Sequence, residues 1–247
     1  MRMKTMTALA LLCAAAAAGA QDQVPGQVRQ CATNVEPRSV EFPWMSIERW
    51  NGINKDKTAL AAKGDVDVLF LGDSITEGWP RSEWDSHFGN YKAANFGIGG
   101  DHTGNVLWRL QNGGMDRLRP KVVVLLIGTN NFGLCGEGPD QVYRGIASVV
   151  SSLRQIYPDA KILLNAVLPV EPNPDHPRRL NVVKVNRDVA KLDDGKHVFF
   201  RDYGRKFIQA DGTISPRIMP DYLHLTEEGY RIWGDAMRPD IDRLIKQ

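Results

Sequence analysis

In "KVVVLLIGTN", six β-branched or leucine residues stand in a row, Val122 to Ile127. A run with no polar alternation has no side to turn to water. It predicts a strand covered on both faces, as in a parallel sheet with helices above and below. Four more runs fit the same sheet: "VDVLFLG", "YKAANFG", "AKILLNAVLPV" and "HVFFRDY". Helical patterns separate them. "HTGNVLWRLQNG" is amphipathic and ends at a glycine pair. "GPDQVYRGIASVVSSLRQIYP" is bracketed by Pro139 and Pro158. "RRLNVVKVNRDVAKLDDG" places Leu180, Val183, Arg187 and Val189 near a helical period. "TEEGYRIWGDAMRPDIDRLIKQ" opens with a Thr226 cap and two acids, and Pro239 is expected to interrupt or kink it. Strand and helix in alternation predict an α/β fold with right-handed crossovers. The functional crevice of such a fold lies beyond the C-terminal ends of the strands. No repeat or second domain is visible.

The N-terminus reads differently. "MRMKTMTALALLCAAAAAGAQDQ" has a basic start at Arg2 and Lys4, an apolar stretch, and small residues up to Ala20. This is the pattern of a cleavable signal peptide over residues 1–20, so the protein is expected to be secreted or periplasmic. A retained anchor is the alternative, but the segment is short and alanine-rich for a membrane span, so no stable membrane insertion is expected. Residues 21–51 read as an arm, with Trp44 and Trp50 as core anchors, and residues 52–247 as the domain. The full chain has 31 basic and 29 acidic residues. Removing residues 1–20 removes two bases and no acid, leaving a net charge of zero. With no basic block, nucleic acid is not an expected partner. Cys31 and Cys135 would remain, either as a disulfide that export permits or as two free thiols. The five histidines are scattered without ligand spacing, so neither a metal nor another cofactor is expected.

Four strand ends carry chemistry-bearing residues. Gly72-Asp73-Ser74 follows the first strand and "FGIGGD" the second. "GTNN" follows the third, and "PDYLHL" precedes the last helix. Each is weak alone. Together they supply a hydroxyl, free backbone amides, a carboxamide, and an acid three residues before an imidazole. Those are the parts of acyl transfer. A serine hydroxyl needs an imidazole to take its proton, and His224 is the only strand-end histidine with an acid nearby. Asp221 would orient it. The Ser74 N–H, the Gly100 N–H and the Asn130 side chain are the candidate oxyanion donors.

The blocks "GDSIT", "NFGIGGD", "GTNN" and "DYLHL" resemble those of the SGNH hydrolases, the GDSL-type esterases, with Ile75 where the usual motif has leucine. "NFGIGGDHTGNVLWRLQNGGMDRLRPKVVVLLIGTNN" further resembles the platelet-activating-factor acetylhydrolase alpha-subunit-like esterases. The resemblance runs from about Asp65 to the last helix; the segment through about Asn51 departs from it. It implies a flavodoxin-like three-layer sandwich with a five-stranded parallel sheet. It implies Ser74 as nucleophile, Gly100 and Asn130 as oxyanion donors, and Asp221 and His224 completing the triad. It also leaves a homodimer open.

The substrate reading is a small-molecule or saccharide ester, with a short acyl group, most simply acetyl, on a polar alcohol. A lysophospholipase or thioesterase, or a non-catalytic carbohydrate-binding protein on the same fold, are the alternatives. Candidate substrate contacts are Phe132, Val170, Trp79 and Leu223, with Ile75, Trp108 and Met219 as further lining. His102, beside the oxyanion turn, is expected at the surface.

Overall fold

The computed structural model describes residues 29–247. The expected signal peptide and the first residues of the arm lie outside them. The five strands are β1 (Val68–Gly72), β2 (Ala93–Gly97), β3 (Val122–Leu126), β4 (Lys161–Asn165) and β5 (Val198–Arg201). They form one sheet of order β2-β1-β3-β4-β5, every pair parallel. This is the flavodoxin-like order, in which the chain reverses its direction of winding between β1 and β3. Gly72 is level with Gly97 on one side and Leu126 on the other. The turns after β1, β2 and β3 therefore open at one height.

The helices are α1 (Ile47–Ala61), α2 (Ser74–Glu77), α3 (Arg81–Phe88), α4 (Thr103–Asn112), α5 (Thr129–Gly133), α6 (Pro139–Ile156), α7 (Pro177–Val189) and α8 (Glu227–Leu244). Leu69, Leu71, Val123, Leu125, Ile162 and Leu164 pack with apolar residues of α4, α6 and α7. Val68, Phe70, Val122, Val124 and Leu163 pack with α3 and α8. Successive side chains of a strand go to opposite faces. With helices on both, β3 has no polar position, as its sequence requires.

Several expectations are corrected. Helix α8 runs through Pro239 without a break. Pro239 and Asp235 are both exposed, so the carbonyl that loses its helical donor faces water. On α7 the buried stripe is Arg179, Val182, Val185 and Val189, whereas Leu180 and Val183 are exposed. Arg179 belongs to the buried face because its guanidinium meets the carbonyls of Val170, Glu171 and Gly212.

The arm is part of the domain, and α1 crosses residues 51 and 52, where the two were expected to divide. Cys31 and Cys135 form a disulfide. Glu137 accepts hydrogen bonds from the backbone of Cys31 and Ala32 at 2.8 and 2.9 Å. Thr103 donates to the Ala32 carbonyl at 2.8 Å, and Asn105 to that of Glu36 at 3.0 Å. Of the two expected anchors only Trp50 is buried; Trp44 is 47% exposed. Among the described residues no helix is long and apolar enough to cross a membrane.

Candidate active site

The turn after β1 is shaped by crowding. A Cβ on Gly72 would lie 2.4 Å from the Leu126 carbonyl oxygen and 2.2 Å from Thr76 Oγ1. Only glycine lets α2 start this close to the sheet. Asp73 then caps α2, accepting from the Ile75 N–H at 3.0 Å. Asp73 and Ile75 are buried, and Ser74 between them is half-exposed. Its Oγ lies 2.9 Å from His224 Nε2.

His224 is held by a turn that Asp221 builds. Asp221 Oδ1 accepts from the Leu223 and His224 backbone N–H groups at 3.0 and 2.7 Å. This is the local turn chemistry that aspartate favours. Its other oxygen, Oδ2, lies 2.6 Å from His224 Nδ1. One carboxylate thus shapes the loop and orients the ring. Tyr222, between them, adopts a left-handed conformation (φ 57°), strain that recurs at functional sites. Partial desolvation raises the Asp221 pKa. The hydrogen bonds from His224 and Leu223 outweigh it, and the carboxyl sits below its ordinary value.

Facing Ser74 is the turn after β2. Gly100 has φ 74°, and a Cβ there would come within 2.5 Å of Trp44 and 2.7 Å of Arg38. Both the conformation and the packing demand glycine. The Gly100 N–H has no acceptor among the described residues. From the end of β3, Asn130 donates one side-chain N–H to the Asp101 carbonyl at 2.9 Å, which fixes its amide and leaves a second N–H for a ligand. Its neighbour Asn131 is wholly buried and ties Thr103 to Glu137.

A buried layer that sequence reasoning missed supports this turn. Asp101 accepts from Trp50 Nε1 at 2.6 Å and pairs with Arg109 at 2.7 Å, with Arg38 3.9 Å away. Burial pushes the Asp101 carboxyl up, against the pull of Arg109 and Trp50. Glu77 accepts from the Gly99 N–H at 2.5 Å. The available signal was Arg109, a cation on the apolar face of α4, which implies a buried counter-charge. Asp73 is fully buried, and desolvation raises its pKa to about 7.

Other expected contacts are corrected. Trp79 is in the core, packed on Tyr230 and Trp233 at ring separations of 4.8 and 5.2 Å. Val170, Ile75 and Met219 are also core residues. Phe132 is buried but adjoins Asn130 on α5; Leu223 is half-buried between Asp221 and His224. Trp108 leans on Trp50. His102 is buried, not superficial: it caps α4, accepting from the Asn105 N–H. Desolvation, then Arg29 and Arg38, lowers its pKa to about 3, so it stays neutral.

A family model described as GDSL-like Lipase/Acylhydrolase matches residues 70–232. The chain is 38% identical over 208 residues to platelet-activating factor acetylhydrolase IB subunit alpha1 of Bos taurus, covering 83% of this chain and 84% of that protein. That span is longer than the stretch from residue 52 to the C-terminus, so the likeness reaches into the arm. A GDSL-like lipase from Bacteroides thetaiotaomicron superposes with a TM-score of 0.65 at 22% identity, over 77% of this chain and 97% of that one. A carbohydrate acetylesterase from Sinorhizobium meliloti gives 0.58 at 21%, over 72% and 98%. The sheet order, the strand-end blocks and these matches agree: the chain belongs to the GDSL-like lipase/acylhydrolase family.

Proposed function

We propose that the protein is a serine esterase that removes a short acyl group, acetyl in the simplest case, from a polar alcohol such as a carbohydrate. The observation that carries this reading is the continuous line from Asp221 through His224 to Ser74, with contacts of 2.6 and 2.9 Å.

In the first half-reaction His224 Nε2 takes the Ser74 proton as Oγ attacks the ester carbonyl. The oxyanion receives hydrogen bonds from the Ser74 and Gly100 N–H groups and the Asn130 amide. Collapse breaks the bond to the alcohol, whose oxygen takes the proton from His224. In the second half-reaction His224 deprotonates a water. That water attacks the acyl-serine, the acid leaves, and Ser74 recovers its proton. Asp221 keeps one imidazole tautomer and stabilises the cation formed in each half.

A short acyl group is favoured because Ile75, Val170 and Met219 are packed in the core and do not line an open apolar groove. Acetyl is also the group named for both the Bos taurus relative and the Sinorhizobium meliloti neighbour. The relative's name favours one second reading, the acetyl ester of platelet-activating factor. The Cys31–Cys135 disulfide supports export to an oxidising compartment. A series of nitrophenyl esters tests the acyl preference. Rates highest at two carbons support the proposal; rates rising steadily to eight carbons or more contradict it.

A further inference from the structure

We propose that Trp44 is the stacking platform for the sugar ring of the substrate, a specificity residue supplied by the N-terminal arm. This rests on the ester-hydrolase reading of the Ser74 site and adds a subsite to it.

Trp44 is the only one of the six tryptophans that is exposed. Of the other aromatics expected near the site, Trp79 and Phe132 are buried and Trp108 is half-buried, so this exposure is not a general property of the chain. Nor is the ring loose. The segment Phe42-Pro43-Trp44-Met45 is a tight turn in which the N–H groups of Phe42 and Met45 reach each other's carbonyls at 3.1 and 3.0 Å. Phe42 stacks on the indole at 4.9 Å with 13° between planes, and the Arg38 guanidinium lies 5.5 and 5.9 Å from the two ring centres. Arg38 is itself anchored on the Gly99 carbonyl at 2.9 Å. Met45 is buried against Gly99, which adjoins Ser74 Cβ. The disulfide and Glu137 hold the arm further back.

The ring is therefore fixed beforehand, and its ordering cost falls on folding rather than on binding. Its edge lies against Gly100, the residue assigned as oxyanion donor. Phe42 covers one face, so a sugar ring would stack on the other. A flat, electron-rich face attracts the positively polarised C–H bonds along one side of a pyranose ring. A flexible acyl chain would need a continuous apolar groove, which one isolated indole does not provide. The platform touches Gly100, the proposed oxyanion donor, and the proposal places the alcohol part of the ester against it.

The test compares acetylated xylotriose with ethyl acetate, which has no ring, in wild type, Trp44→Leu and Trp44→Phe. Leucine keeps apolar contact with Gly100 but removes the flat face. KM for the sugar ester is expected to rise roughly tenfold in Trp44→Leu, with kcat changed far less, and Trp44→Phe to recover most of the loss. The ratio of kcat/KM for the sugar ester to that for ethyl acetate falls by a similar factor. In a Ser74→Ala background, calorimetry with xylotriose is expected to show the same weakening from Trp44→Leu. An unchanged ratio, equal losses on both esters, or a loss confined to an acetylated phospholipid overturns the proposal. So does oligosaccharide binding indifferent to residue 44. If Trp44→Leu fails to fold, Trp44→Gln, which also removes the aromatic face, takes its place, and an unchanged ratio there overturns the proposal equally. Trp44-dependent binding without ester hydrolysis would instead remove the esterase reading and leave the subsite standing.

Discussion

His224 Nε2 stands 2.9 Å from Ser74 Oγ although 150 positions separate them in the chain. The link from Asp221 to His224 is local, made within one turn. The link to Ser74 is not; it depends on α8 packing against the face of the sheet that carries Val68 and Phe70 of β1. The two contacts should therefore respond differently to mutation.

Removing the imidazole removes the base, whereas Asp221→Asn keeps the loop acceptor and loses only charge and tautomer control. His224→Ala is expected to lower kcat/KM by about 10⁵-fold or more, and Asp221→Asn by roughly ten- to a hundredfold less than that. Steady-state kinetics on an acetyl ester measures both. Equal losses would mean that the Asp221 charge on the ring is as necessary as the imidazole itself.

Gly100→Ala places a methyl group against Trp44 and Arg38 at a residue with φ 74°. The turn must shift, and its N–H with it. The expected result is a fall in kcat of roughly a hundredfold or more, with a smaller change in KM. Near-normal kcat would remove Gly100 from the oxyanion site.

Much of this site is legible in the sequence, and the reasons divide cleanly. The unbroken run Val122 to Ile127 reports burial on both faces, so it implies the sheet and the height at which Asn130 emerges. The acid-to-imidazole spacing of Asp221 and His224 is a local signal, which survives without knowledge of the fold. Trp79 and Val170 lie in the core, which the sequence does not reveal, because an apolar residue near a strand end looks the same whether it lines a pocket or fills a core. Arg179 hid the buried stripe of α7 because its burial depends on three carbonyls from other loops. Trp44 and His102 traded places for the same reason: exposure there is set by the arm, whose path depends on Cys135 and Glu137, about a hundred residues away.

Asp73 gives stability a particular pH dependence. Its proton is held to about pH 7 in the folded chain, against 3.8 as the ordinary value. Between these the folded state binds the extra proton, so the contribution is full below about pH 4. It is lost as pH rises to about 7, by at most about 4 kcal/mol. Asp73→Asn lacks this slope. Its stability relative to wild type is expected to climb across that window in denaturant titrations; parallel profiles would contradict the assignment.

The disulfide closes a long loop, its cysteines 104 positions apart. Cys31→Ser with Cys135→Ser, or reduction of the wild type, is expected to cost about 2–4 kcal/mol by chemical denaturation. Because the arm carries Arg38 and Trp44 to the Gly100 turn, activity on bulky esters should fall before global unfolding. A loss of activity only at the unfolding transition would show that the arm does not support the site.

The central claim is that Ser74 is the nucleophile served by His224. A fluorophosphonate that marks activated serines, followed by peptide mass spectrometry, tests it most directly. The account predicts one adduct, on Ser74, absent in Ser74→Ala and formed at least a thousandfold more slowly in His224→Ala. An adduct on a different serine, or labelling of Ser74 at an undiminished rate without His224, would contradict it.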